Sequence, residues 1–301
     1  MRWKKLGRLY VPQPVHPKLV SHAANPLAIF LEGDLYRVFF DGRDIHNRSS
    51  VGFVDLDILK CKVTYIHNEP VFGYGPENSF YSHGVSIGNM YEVGDERYIL
   101  FMGWQIPEGR HWQGGIGRLR LKDDGSIELD RDRPFMGLDG TDQVSLSYPW
   151  VIRDRGQYRM WYGSTVTWDT GDGEMLSVIN HATSVDGHEW NRQGLAVPYE
   201  LGVAQVFSRP TVVADPGGYH MWFSYRSGKP GQKYKIGYAH SLSGEKWELR
   251  LNDAGIDTSL SGWDSEMIEY PFVFDHKGQR YMLYNGDGYG RTGFGLAVME
   301  S

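Results

Sequence analysis

The chain has 301 residues, with 31 Lys and Arg against 37 Asp and Glu and a formal net charge of −6. That balance excludes the basic stripe of a nucleic-acid binder, and the lone cysteine, Cys61, excludes an internal disulfide. No run approaches the roughly 18 apolar residues of a membrane-spanning helix. The opening MRWKKLGRLYVPQPVHP has no apolar signal core, so the expected compartment is the cytoplasm.

In chain order, the first predicted element is a strand in LGRLYVPQP. One pattern then recurs five times. Two weaker copies come first, SHAANPLAIFLEGDLYRVFFDGRD from Ser21 and YSHGVSIGNMYEVGDERYILFMGW from Tyr81. Three stronger ones follow: SYPWVIRDRGQYRMWYGST from Ser147, SRPTVVADPGGYHMWFSYR from Ser208, and EYPFVFDHKGQRYMLYNGD from Glu269. Their prolines, Pro149, Pro210 and Pro271, lie 61 residues apart. A repeat of this length must be recognised before any fold is assigned.

Within each copy an apolar run meets a Gly- and Asp-rich turn, then a second run with alternating aromatics such as Tyr158, Met160 and Tyr162. That is a strand, a tight turn and a strand. A third run follows, such as YKIGYAHS from Tyr234. A hairpin, SVDGHEW or SLSGEKW, then carries a Trp into a fourth strand. The expected fold is all-β, a five-bladed β-propeller with four antiparallel strands per blade. Residues 1–301 are expected to form one domain, with the N-terminal segment completing the last blade.

In a propeller the innermost strands start on one face, and the loops after the second strands open there too. Residues before each proline and after each second strand should therefore converge. The candidates by type are catalytic Glu266, Glu269, Asp44 and His83. The substrate-binding candidates are His22, Asn25, Asp41, Arg43, Arg48, Trp104, Tyr148, Trp168, Arg209, Arg226, Tyr270, Asn285 and Asp287. Carboxyl groups can serve as general acid and base. Aromatic rings stack on sugar faces, and arginines favour anionic groups through bidentate geometry. Each reading has a structural rival: Arg43, Asp44 and Arg48 could pin a loop, and Arg209 could pair with a glutamate. Trp161, Trp190, Trp222 and Trp247 are expected to pack the blades. No metal or cofactor is expected, because no tight ligand spacing is present. NGDGYGRTGFG, from Asn285, joins strands and opens no helix, so it is no nucleotide loop.

The segments FFDGRDIHNRSSVGFVDLD, GWDSEMIEYPFVFDHKGQRYMLYNGDGYGRTGFGLAVME and SHAANP resemble a group of glycosidase-like proteins often encoded among bacterial surface-polysaccharide genes. The whole chain resembles the five-bladed superfamily of furanosidases, fructosidases and mannoside phosphorylases (glycoside hydrolase families 32, 43, 68 and 130). The resemblance implies a carbohydrate-active enzyme of polysaccharide metabolism, most simply a glycoside hydrolase using carboxyl acid/base catalysis on a neutral or anionic sugar. Where those families carry an Asp, an Asp and a Glu, this chain offers Asn25, His83 and Tyr148. A phosphorylase or transferase with an Arg- and His-lined anion site is therefore one alternative, with phosphate as a co-substrate. A non-catalytic carbohydrate-binding propeller is the other. The expected partner is a carbohydrate or sugar conjugate, with no nucleic acid.

Overall fold

A computed structural model describes residues 1–229 and 231–300. Strand β1 (Trp3–Tyr10) comes first. The others fall into antiparallel meanders: β2 (Ser21–Glu32), β3 (Leu35–Arg43), β4 (Ser49–Asp57) and β5 (Lys62–Ile66); then β6 (Gly84–Val93), β7 (Glu96–Gln105), β8 (Gln113–Leu121) and β9 (Ile127–Leu129). The third meander is β10 (Ser145–Asp154), β11 (Gln157–Thr167), β12 (Leu176–Ser184) and β13 (Asn191–Leu195). The fourth is β14 (Val206–Asp215), β15 (Gly218–Arg226), β16 (Lys235–Ser241) and β17 (Glu248–Leu249). Last come β18 (Glu269–His276), β19 (Gln279–Asn285) and β20 (Phe294–Met299).

The N-terminal β1 pairs antiparallel with β20, so the two ends of the chain share one sheet. The third and fourth meanders merge through a single parallel bridge, Ser177 to Val206. The first strands touch in a cycle, β2 to β6 to β10 to β14 to β18 and back to β2. Among the described residues no helix is long and apolar enough to cross a membrane.

Alternation sets the packing: each strand turns one side to the neighbouring sheet. Trp161 and Trp222 are fully buried, as expected for packing residues. Trp190 and Trp247 stand just before the fourth strands rather than on them. The Trp247 indole N–H and that of Trp161 both donate to the Gly244 carbonyl, which clamps the fourth hairpin to the third meander.

Carboxyl latches reinforce the outer strands. Asp142 accepts from the Tyr162 hydroxyl at 2.8 Å, the Ser164 hydroxyl at 2.6 Å, Asn180 Nδ2 at 2.7 Å and Arg192 Nη1 at 2.5 Å. Two repeats later, Asp264 accepts from Tyr284 at 3.0 Å and from Lys5 Nζ at 2.7 Å, tying β1 into the last sheet.

Candidate functional site

Each first strand breaks register at a two-residue bulge, and β2 does so at two further places. The bulged pairs are Asn25–Pro26, Gly88–Asn89, Tyr148–Pro149, Arg209–Pro210 and Tyr270–Pro271. Asn25, Tyr148, Arg209 and Tyr270 have φ of 52°, 43°, 50° and 52°. A bulky residue there is strained, and bulges of this kind re-aim a side chain beside functional sites. The prolines tolerate the bulge because its second residue owes no ladder N–H.

The second meander corrects the sequence alignment. His83 precedes the strand, and Gly88 is the residue that matches Asn25, Tyr148, Arg209 and Tyr270 in register. A side chain there has no room, because a Cβ would lie 2.7 Å from the Pro149 carbonyl oxygen and 2.8 Å from that of Leu100. Asn89 replaces proline and bonds both ways to Val151, accepting from its N–H at 2.8 Å and donating to its carbonyl at 2.7 Å.

Three of the bulges, at Asn25, Tyr148 and Tyr270, line a cavity of about 440 Å³. Of the residues expected there, Asn25, Asp41, Arg43, His83, Trp104, Tyr148, Arg226 and Tyr270 line it. Trp168 lies outside the lining but packs edge-on to Trp112, which lines it, at 4.9 Å. Residues that the sequence reading missed also line it: His46, Asn47, Tyr234 and Tyr289. Tyr234 opens the third run of its repeat and Tyr289 sits in the glycine-rich loop, so position in the repeat could have flagged both.

Asp41 is the cavity's carboxyl group. It accepts from Asn25 Nδ2 at 2.7 Å and from the Ile87 N–H at 2.9 Å. Burial nevertheless outweighs these bonds and the nearby Arg209 and Arg43, and pushes the carboxyl up to about 7. Asn25 is held in turn by Asn285, whose Oδ1 accepts the Asn25 N–H at 3.0 Å. Asn285 is therefore a fully buried strut.

Glu269 is fully buried, and neither carboxyl oxygen has a hydrogen-bond partner of good geometry. Burial holds it well above the usual carboxylate range; Arg43, the Tyr270 side chain and the Tyr289 backbone oppose this more weakly. It sits among cavity residues, and its charge is felt by Tyr148, Tyr234, Tyr270 and Tyr289. The Tyr148 and Tyr270 hydroxyls are 3.5 Å apart. Burial pushes Tyr148 up to about 12, so these phenols stay protonated at neutral pH.

The other expected residues lie elsewhere. Arg209 is buried, and its guanidinium donates to the carbonyls of Ile87, Gly88 (2.8 Å) and Pro26 (3.0 Å). From β14 it thus reaches across the ring to β2 and β6, and it does not line the cavity. Burial lowers it to about 10. Glu266 is exposed and outside the lining; its backbone N–H and that of Met267 donate to Asp287, which makes Asp287 a loop organiser. Asp44 accepts from the N–H groups of His46 and Arg48 and pairs with the Arg48 side chain at 2.9 Å. Those bonds outweigh its burial and hold it below its ordinary range. Asp44 and Arg48 therefore pin the loop, and Arg48 also lies over the Tyr74 ring. His22 bonds Ser21 and falls to about 4, chiefly through burial, so it is uncharged at neutral pH.

Comparison with known proteins supplies the family. The chain is 45% identical over 303 residues to "Uncharacterized protein Rv1502" and to "Uncharacterized protein MT1551" of Mycobacterium tuberculosis, covering all of both chains in each case. It belongs to their family. No family model matches the chain. Among solved structures, one titled "Glycoside hydrolase" superposes with a TM-score of 0.76 at 12% identity, over 99% of this chain and 93% of that one. An exo-1,5-α-L-arabinanase from a bovine ruminal metagenomic library gives 0.63 at 15%, over 92% of both. Sucrose-6-phosphate hydrolase from Lactobacillus gasseri gives 0.61 at 14%, over 93% of this chain and 60% of that one. At these identities the likeness is one of fold.

Proposed function

We propose that the protein is a five-bladed propeller of one domain, each meander a four-stranded blade, that cleaves a glycosidic bond in the cavity. One observation carries the reading: Asp41, the carboxyl group that lines the aromatic-walled cavity, is displaced toward neutrality by burial, and so is Glu269, which is buried beside the cavity-lining Tyr270. Perturbed acids gathered in a cleft are the mark of acid/base chemistry. The volume of about 440 Å³ falls in the range of small-ligand sites, about 300–1,000 Å³.

Asp41 touches the cavity, and its value of about 7 suits proton exchange at neutral pH. It is the acid or base at the glycosidic oxygen or the attacking water. Glu269 is the second carboxyl group that glycoside hydrolysis needs, held protonated behind the phenols of Tyr148 and Tyr270. Trp104, Trp112 and Tyr289 offer faces for a sugar ring. Glu266 has no part in this scheme. The test is sugar release from a panel of glycosides, with and without phosphate. Release into water supports a hydrolase, release only with phosphate supports a phosphorylase, and binding without release leaves a carbohydrate-binding module.

A further inference from the structure

The cavity holds two guanidinium groups, Arg43 and Arg226. Arg226 is neutralised: Nη2 meets Glu174 Oε1 at 2.6 Å, Nη1 meets Oε2, and the group lies over the Tyr234 ring. Arg43 is treated differently. Its side chain donates to Asn47 Oδ1 at 2.6 Å, and among the described residues it forms no ion pair. The acid next to it in sequence, Asp44, is spent on Arg48.

We propose that Arg43 receives an anionic group of the substrate, a sugar carboxylate or a phosphate. This rests on the carbohydrate reading above and names the substrate class. A part-buried cation needs an anionic partner to offset its lost hydration, and a planar guanidinium with free donors fits a carboxylate or phosphate in bidentate fashion. Asp41 and Glu269 feel the Arg43 charge, but neither pairs with it and burial displaces both toward the neutral form. Arg43 ends β3, and Asp44 closes the turn that follows by accepting from the His46 and Arg48 N–H groups. In the same cavity lining, Ser208 Oγ is buried with no partner, a polar atom suited to a sugar hydroxyl.

Calorimetric titration of the full chain with glucuronate, inorganic phosphate and glucose tests this. One of the two anions should bind at least about tenfold more tightly than glucose. Preference for glucuronate identifies a sugar acid, and preference for phosphate identifies a phosphorylated sugar or a phosphate co-substrate. Arg43→Gln should abolish the preference, and Arg43→Lys should restore part of it, with melting curves confirming that both variants fold. Equal affinity for anions and glucose, no anion binding, or an unchanged preference in folded Arg43→Gln overturns the proposal. Cleavage of neutral glycosides with equal rates in wild type and Arg43→Gln would sink the anion site and leave the glycosidase reading standing. Arg43-dependent anion binding with no cleavage of any glycoside would do the reverse.

Discussion

Asp142 and Glu269 are both carboxyl groups shut away from water, and the protein treats them oppositely. Asp142 receives four donors, including an arginine at 2.5 Å. Glu269 receives none of good geometry and lies among tyrosines. A buried acid with every lone pair engaged holds a fold together. One left unengaged is a cost that the fold carries for another reason, since native proteins rarely leave such groups unpaired. Asp41 stands between them, with a donor on each oxygen yet still displaced upward by burial.

Substitution should separate the two kinds of acid. The largest expected effect is on rate: Glu269→Gln and Asp41→Asn should each lower sugar release by about 10²–10⁴-fold, measured on the glycoside that the wild type cleaves. Glu269→Gln should leave the urea midpoint nearly unchanged, because no hydrogen bond of good geometry is lost. Asp142→Ala should invert the pattern. It leaves Arg192 with Asp139 as its remaining carboxylate, strands three neutral donors, and should cost about 3–5 kcal/mol in urea unfolding. Turnover at low temperature should survive in the fraction that remains folded. A Glu269→Gln variant that unfolds easily yet turns over normally would erase the distinction.

Arg209 tests whether the centre of the ring is structure or site. Arg209→Met keeps the aliphatic stem and removes the donors to Ile87, Gly88 and Pro26. Stability should fall by about 1–3 kcal/mol, with any change in sugar affinity secondary. A stable variant with lost affinity would restore Arg209 as a ligand.

The smallest effect is a slope. Burial moves Asp41 from 3.8 to about 7 on folding. Between those values the folded chain keeps a proton that the unfolded chain has released. This contribution is therefore full below about pH 4 and fades until about pH 7. Asn cannot titrate, so Asp41→Asn should lose less stability than wild type between about pH 4 and 7. Equal slopes would mean that Asp41 is ionised throughout.

Much of the fold was legible because the bulges repeat. X-Pro at Tyr148, Arg209 and Tyr270 marks the same backbone event three times, and the flanking aromatics mark the strands. The second meander was misaligned because Gly88–Asn89 does the work of X-Pro by other means: the glycine removes a Cβ clash and asparagine supplies the cross-strand bonds. Cavity-lining residues were legible where they sit on bulges or second strands, as Asn25, Asp41, Arg43, Tyr148 and Tyr270 do. They were misread in loops, where Asp44, Glu266 and Asp287 fold back on local N–H groups. Composition cannot tell a carboxyl that closes a turn from one that faces a cavity. Arg209 was misread because a side chain that crosses the ring finds partners far away in sequence.

The central claim is that Glu269 is a protonated acid kept for the cavity's chemistry. Infrared difference spectroscopy between wild type and Glu269→Gln at about pH 6, where an ordinary glutamate is ionised, tests it most directly. The account predicts a protonated-carboxyl C=O band in wild type that is absent from the variant. A spectrum in which Glu269→Gln instead removes an ionised carboxylate band would contradict it.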